Sequence, residues 1–175
     1  MVTTIVAIIG CLTGVASLTL SLIRSWNEKF DVRIYFYESG SVFFHKLNLY
    51  SSYKTDYQGL IKVRFENRSS TPITVFSIKA TAEGKPIAFQ KIEWPGGKQD
   101  YLDFPIKKNT YTRISIGREL EVPLRIEPYD ACEGYLFFPV FPSIESDTAI
   151  IKLTAETTKR AVDAVSKVRF IGIRS

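Results

Sequence analysis

The chain begins with a long run that carries no charge. Residues 2–23 are twenty-two consecutive residues without Asp, Glu, Lys or Arg. As an α-helix such a run reaches about 33 Å, which is enough to cross the hydrocarbon core of a bilayer. The sequence therefore predicts a transmembrane helix and divides the chain into an anchor at 1–24, a juxtamembrane linker at 25–30 and a globular domain at 31–175.

Two other interpretations of this run are weaker. A cleavable signal peptide would begin with basic residues, but nothing basic precedes Ile5. The sequence IIGC, which ends at Cys11, suggests a lipid-attachment motif, yet the apolar run continues beyond that cysteine where a polar tether is expected. A retained helix accounts better for the apolar length.

The residues that flank the run predict its orientation. Arg24 and Lys29 follow it, no basic residue precedes it, and Trp26 lies where aromatic anchors meet the membrane interface. Because basic residues favour the cytoplasmic side, we expect a single-pass protein of the cell membrane with its C-terminal domain in the cytoplasm. Membrane lipid is then a partner.

Small residues recur along one face of the predicted helix, at Gly10, Gly14, Ser17 and Ser21. Small side chains allow two helix backbones to approach closely, so this face is a candidate helix–helix interface, either in a homo-oligomer or with a partner membrane protein. The alternative is that Gly and Ser are simply tolerated in the helix.

Beyond residue 30, apolar and polar side chains alternate as they do in half-buried strands. The clearest case is LIKVRFEN at 60–67, where Ile61, Val63 and Phe65 share one side of the strand. Similar stretches lie at 31–37, 73–82, 134–141 and 149–157. Eight or nine short strands separated by Gly- and Pro-rich turns predict a mainly β chain, arranged as an antiparallel immunoglobulin-like β-sandwich.

Three stretches are less regular. Residues 95–109 are expected to be irregular, whereas 110–117 and 120–126 are expected to form a pair of strands. The Ala and Val spacing near 159–168 suits either a short helix or a strand.

Two segments resemble hairpins of bacterial membrane-anchored immunoglobulin-like domains, a largely uncharacterised group. One is NRSSTPITV at 67–75, and the other runs from LRIEP at 124–128 to GYLFF at 134–138. The resemblance implies an immunoglobulin-like fold and carries no catalytic motif.

Charge and cysteine content limit the partners. The net charge is +5, but acids and bases are mixed along the chain and no basic run reaches five residues, so we do not expect a nucleic-acid partner. Cys11 lies in the apolar run and Cys132 in the distal domain, which excludes a plausible disulfide and agrees with a reducing compartment.

Few residues could carry catalysis or bind a metal. His45 is the single histidine, it lies in a strand-like context, and no nucleophile motif surrounds Cys132. One His and one distal Cys do not supply a zinc site, and Asp100 with Asp103 lacks the calcium-loop pattern. The sequence therefore predicts no enzyme activity, no cofactor and no metal.

Aromatic residues in two loops are better candidates for a binding role. Tyr50, Tyr53 and Tyr57 lie in or beside one loop, and Trp94 and Tyr101 flank another. Such side chains supply rigid contacts to a protein partner. Alternatively, they cover the ends of the β domain.

Together these features predict a non-enzymatic, membrane-anchored β-sandwich that docks a protein partner at the membrane, as a subunit of a bacterial membrane or defence assembly would. The alternative is an exported cell-envelope binding domain that faces outward. An enzyme that uses Asp100 or Asp103 is the least favoured class.

Overall fold

The computed structural model describes residues 2–27, 30–45, 56–92, 100–107 and 110–172. The chain is mainly β, as predicted. It begins with helix α1, Val2–Asn27, and a 3-10 turn at Glu38–Gly40 lies between the first two strands. The strands are β1 (Val32–Phe36), β2 (Val42–His45), β3 (Tyr57–Asn67), β4 (Ile73–Ala82), β5 (Lys85–Ile87), β6 (Tyr101–Lys107), β7 (Thr110–Ser115), β8 (Leu124–Ile126), β9 (Ala131–Phe141), β10 (Thr148–Thr157) and β11 (Ala161–Ile171).

The prediction of a transmembrane helix was wrong. Helix α1 forms, but within the described residues no helical segment is both long and apolar enough to cross a bilayer. The predicted single-pass location in the cell membrane, with a cytoplasmic domain, is therefore not supported, and membrane lipid as a partner stays a prediction.

Nine strands form one continuous sheet. Its order is β1-β3-β2-β11-β10-β4-β5, with β9 also paired to β3 and β8 also paired to β4. All pairs are antiparallel except β2 with β11. Because β2 pairs with β3 on one side and β11 on the other, the sheet is not divided into two separate halves as the predicted sandwich would be. It curls instead into a half-barrel.

Two apolar cores lie on opposite faces of this sheet. The main core lies within the curl and contains Ile61, Val63 and Phe65 together with residues of β4, β9 and β10. The second core lies on the outer side of β2, β3 and β9, where the hairpin of β6 and β7 covers them. In the second core the Phe44 and Phe104 rings are 4.7 Å apart between centroids.

Several strand predictions are confirmed. The alternation at 60–67 lies within β3, and β4 has the predicted bounds. The ambiguous stretch near 159–168 lies mostly in β11, a strand, because β11 pairs with both β10 and β2.

The expectation for 95–109 was wrong at 101–107, since β6 forms there and pairs with β7. Strand β7 therefore does not pair with 120–126 as predicted, and β8 pairs with β4 instead.

Candidate functional site

Three neighbouring strands present a ladder of polar side chains on the side opposite the main core. The register aligns Arg33 with Glu66, Tyr35 with Arg64, Arg64 with Glu133, and Lys62 with Tyr135. Tyr37 continues the row of Lys62, because its backbone N–H donates to the Lys62 carbonyl at 3.0 Å. We call this the outer face, and its residues are Arg33, Tyr35, Tyr37, Lys62, Arg64, Glu66, Glu133 and Tyr135.

The outer face exists because the hairpin of β6 and β7 covers only one end of the strands. On β3, Leu60 is fully buried beneath the hairpin, while Lys62 and Arg64, which share its side of the strand, are only half-buried. Side chains alternate along a strand, so Ile61 and Val63 point the other way into the main core. The same strand thus serves two cores at one end and a polar surface at the other.

One group of contacts joins all three strands through Glu133. The Lys62 ammonium lies 3.5 Å from one Glu133 carboxylate oxygen, and the Tyr37 hydroxyl donates to the other at 3.1 Å. The same ammonium lies 4.9 Å from the Tyr37 ring centre and 5.9 Å from that of Tyr135, within the range of cation–π attraction. These contacts hold the side chains of the face in place.

The far end of the face carries arginine–carboxylate pairs. Arg68 donates to Glu66 at 3.1 Å and to the Tyr35 hydroxyl at 3.4 Å, and this bonding by Arg68 lowers the pKa of Glu66. Arg33 binds Asp31 at 3.1 Å and lowers its pKa in the same way. Arg64 differs, since a hydrogen bond to Tyr37 raises its pKa while its buried Nε has no hydrogen-bond partner among the described residues.

A cavity of about 390 Å³ lies at the end of the outer face nearest the hairpin. We call it the basic cavity, because three cations and one acid line it. Its side chains include Ser39, Lys62, Arg113, Arg118, Glu133 and Tyr135. Tyr135 is 4% exposed, and burial raises the pKa of its phenol, so the hydroxyl stays a donor at neutral pH.

A second cavity of about 330 Å³ lies at the opposite end. We call it the acidic cavity, because Glu66, Asp130 and Glu133 line it with Arg64 as the one cation. Tyr129 borders it and is 75% exposed at the tip of a turn, where its φ of 57° is unusual for a residue with a side chain. The outer face therefore runs from a basic to an acidic end.

The predicted aromatic contacts are distributed differently. Tyr50, Tyr53 and Trp94 lie outside the described residues. Tyr57 packs among the rings of His45, Phe43 and Phe170, with the His45 ring 4.5 Å away. This places Tyr57 in a packed aromatic cluster away from the outer face.

Tyr101 lies on the hairpin and is 44% exposed, with the Arg113 guanidinium 4.0 Å above its ring. Arg113 also makes two hydrogen bonds to Asp103, at 2.8 and 3.0 Å. Tyr101 therefore borders the basic cavity through Arg113. The same contacts occupy Asp103, which the sequence offered as a calcium ligand.

The residues of the predicted helix–helix interface, Gly10, Gly14, Ser17 and Ser21, are all exposed. A Cβ added at Gly10 or Gly14 would meet no atom within 4 Å, so the interface stays a prediction. Lys29 and the side chains of Arg24 and Trp26 lie outside the part of the chain that the structure describes. Their predicted role as membrane anchors depended on the corrected span.

The described residues hold no group of three or more His, Cys, Asp or Glu side chains that could bind a metal ion. His45 packs edge-on against Phe170 at 5.3 Å, and Cys132 is partly buried against the main core. These two residues therefore do not meet in a catalytic pair.

No protein-family model matches the chain, and neither does any curated protein. The resemblance of 67–75 and 124–138 to bacterial immunoglobulin-like domains therefore stays a prediction. The outer face has to be interpreted from its own chemistry.

Proposed function

We propose that the chain is a non-enzymatic docking domain, and that the outer face binds a protein partner as one subunit of a larger assembly. The observation that carries this proposal is the uncovered ladder of Tyr, Arg, Lys and Glu beside a stretch of the same sheet that the hairpin buries. A sheet face held on three paired strands supplies a rigid surface, which lowers the entropic cost of binding.

The composition of the face favours a protein partner. Tyrosine and arginine are enriched where proteins bind each other, because each combines a large contact area with directional hydrogen bonds. Tyr35 is 37% exposed on the face, and Tyr129 stands at its acidic end. The lysines and arginines are mostly neutralised by neighbouring acids, so few are free to release counterions from a nucleic acid.

Charge complementarity specifies the partner further. Three cations on or beside the face are already paired, as Arg33 with Asp31, Lys62 with Glu133 and Arg68 with Glu66. Arg64 lies among Glu66, Asp130 and Glu133, whereas Arg118, at the basic end, forms no ion pair with a described residue and leaves that end with a positive excess. We therefore expect the partner to be a protein that presents acidic side chains to this surface.

Site-specific photo-cross-linking in the native cell tests the proposal. A photoreactive amino acid replaces Tyr35 on the outer face or, as a matched control, Val165, which is 62% exposed on β11. We expect a discrete cross-linked product with a second protein from position 35 and none from position 165. Products from position 165 alone, or from neither position, would contradict the proposal.

A further inference from the structure

We propose that the basic cavity binds a carboxylate, supplied by an acidic side chain of the partner that docks on the outer face. This inference rests on the proposed function and specifies what the partner must present.

The cavity offers hydrogen-bond donors of three kinds at its wall. Arg118 is exposed and forms no ion pair with a described residue, so its guanidinium is available to a carboxylate, which it can bind with two parallel hydrogen bonds. The Tyr135 hydroxyl and the Ser39 hydroxyl line the same space. This set of donors suits an oxygen anion.

The charge balance selects an anion with a single negative charge. Lys62 is neutralised by Glu133, and Arg113 is neutralised by Asp103 at 2.8 Å. Of the three cations that line the cavity, Arg118 alone forms no ion pair with a described residue, and Glu121, which attracts it, is already bonded to Lys91 at 2.8 Å. One uncompensated positive charge matches a carboxylate, whereas a dianionic phosphate would leave a net negative charge inside the cavity.

Backbone hydrogen bonds hold the main chain of Arg118 at the cavity wall. The Tyr135 N–H donates to the Arg118 carbonyl, and the Leu120 N–H donates to the Tyr135 carbonyl, both at 2.9 Å. Such close approach requires Gly134, because a Cβ there would lie 2.4 Å from the Arg118 carbonyl oxygen. On the other wall, a Cβ at Gly40 would lie 3.1 Å from the Tyr135 hydroxyl oxygen. Close approaches at Gly134 and Gly40 thus form part of the cavity wall.

A titration of the full chain followed by amide NMR tests the inference. The probe is the peptide acetyl-Gly-Glu-Gly-amide, and its uncharged control is acetyl-Gly-Gln-Gly-amide. We expect saturable shifts at the amides of Gly40, Gly117 and Gly134 with the Glu peptide and none with the Gln peptide. Sodium acetate is expected to shift the same amides, and inorganic phosphate is expected to bind more weakly than acetate.

Variants separate the cavity from general charge effects. Because the charge-assisted hydrogen bonding of the guanidinium is lost, Arg118→Gln is expected to weaken binding of the Glu peptide by about tenfold or more. Lys85→Gln, which removes an exposed cation on another part of the sheet, should leave binding unchanged. Equal weakening by both variants, stronger binding of phosphate, or no saturable shift would each overturn the carboxylate site.

The titration and the cross-linking experiment distinguish failure of the carboxylate-site proposal from failure of the docking proposal. If the cavity is not a carboxylate site but the face docks a partner, the titration shows no saturable shift while the cross-link from position 35 persists. If the face itself does not dock a partner, that cross-link is absent.

Discussion

The two ends of the outer side of β3 differ in chemistry although they belong to one strand and one face. At one end Leu60 is fully buried in the second core. Two residues later Lys62 reaches half-exposed into the ion pairs and rings of the outer face. The comparison shows that the hairpin of β6 and β7 divides this side of the sheet into a half that it covers and a half that it leaves uncovered.

The largest expected effect comes from shortening one side chain in each half of β3 to alanine. Leu60→Ala removes buried methyl groups from the second core and should lower the free energy of unfolding by about 2–5 kcal/mol. Lys62→Ala breaks a partly exposed ion pair, so it should cost less than about 1 kcal/mol. Chemical denaturation of both variants measures the difference, and equal losses would show that the two ends are not distinct.

The uncovered end depends on Asn67, which is fully buried. Its side-chain amide donates to the carbonyls of Thr71, Ile126 and Glu127, at 2.9, 3.2 and 3.0 Å, and its oxygen accepts from the Ser69 N–H. Because Asn67→Ala leaves these buried groups without hydrogen-bond partners, we expect a loss of about 2–4 kcal/mol in unfolding free energy. Ser70→Ala, at an exposed position in the same turn, is the control and should change stability little. A loss of stability no larger than that of Ser70→Ala would show that the Asn67 hydrogen bonds do not stabilise this end of the sheet.

Two glycines at the boundary between the halves sharpen the comparison. Gly134→Ala forces the new methyl group into the Arg118 carbonyl and the Leu120 side chain, and should cost about 1–3 kcal/mol. Gly117→Ala meets no atom within 4 Å, so it should leave stability near that of the parent. Thermal unfolding of both variants checks this, and equal melting temperatures would contradict the close approach at Gly134.

The smallest expected effect is a pH dependence in the hairpin itself. Hydrogen bonding to Arg113 lowers the pKa of Asp103 below its ordinary 3.8. Because the folded-state pKa is lowered, the pair contributes stability above that ordinary value and loses it as the pH falls through the lowered pKa. Carboxyl NMR should show that Arg113→Gln raises the titration midpoint of Asp103, whereas Arg125→Gln leaves it unchanged. An unaltered midpoint in Arg113→Gln would mean that the pair does not persist in solution.

Regular alternation made much of the sheet predictable. The stretch at 61–67 alternates strictly, and 73–82 alternates except at Phe76 and Ser77, where the pairing with β10 shifts register. Strand β6 was missed because the Pro-Gly-Gly sequence at 95–97 indicated an irregular stretch, although a short alternation follows in which Leu102 and Phe104 are buried and Asp103 is not. The alternation of apolar and polar residues within a strand involves only neighbouring residues, so it can be recognised in the sequence alone.

The outer face could not be predicted in the same way. Lys62, Arg64 and Glu66 alone are typical of any solvated strand face. Their partners Tyr35 and Glu133 lie far away in the chain, and only the register of β1, β3 and β9 brings them together. Apolar length, in turn, led to a membrane span that the described part of the helix does not support.

The most direct test of the docking face is hydroxyl-radical footprinting of its tyrosines, compared between intact cells and the purified full chain. Tyr35 and Tyr129 border or lie on the face, whereas Tyr111, which is 65% exposed on the hairpin, serves as the internal control. We predict that Tyr35 and Tyr129 are protected in cells while Tyr111 is oxidised equally in both samples. Equal oxidation of all three tyrosines in cells and in the purified protein would contradict the docking function.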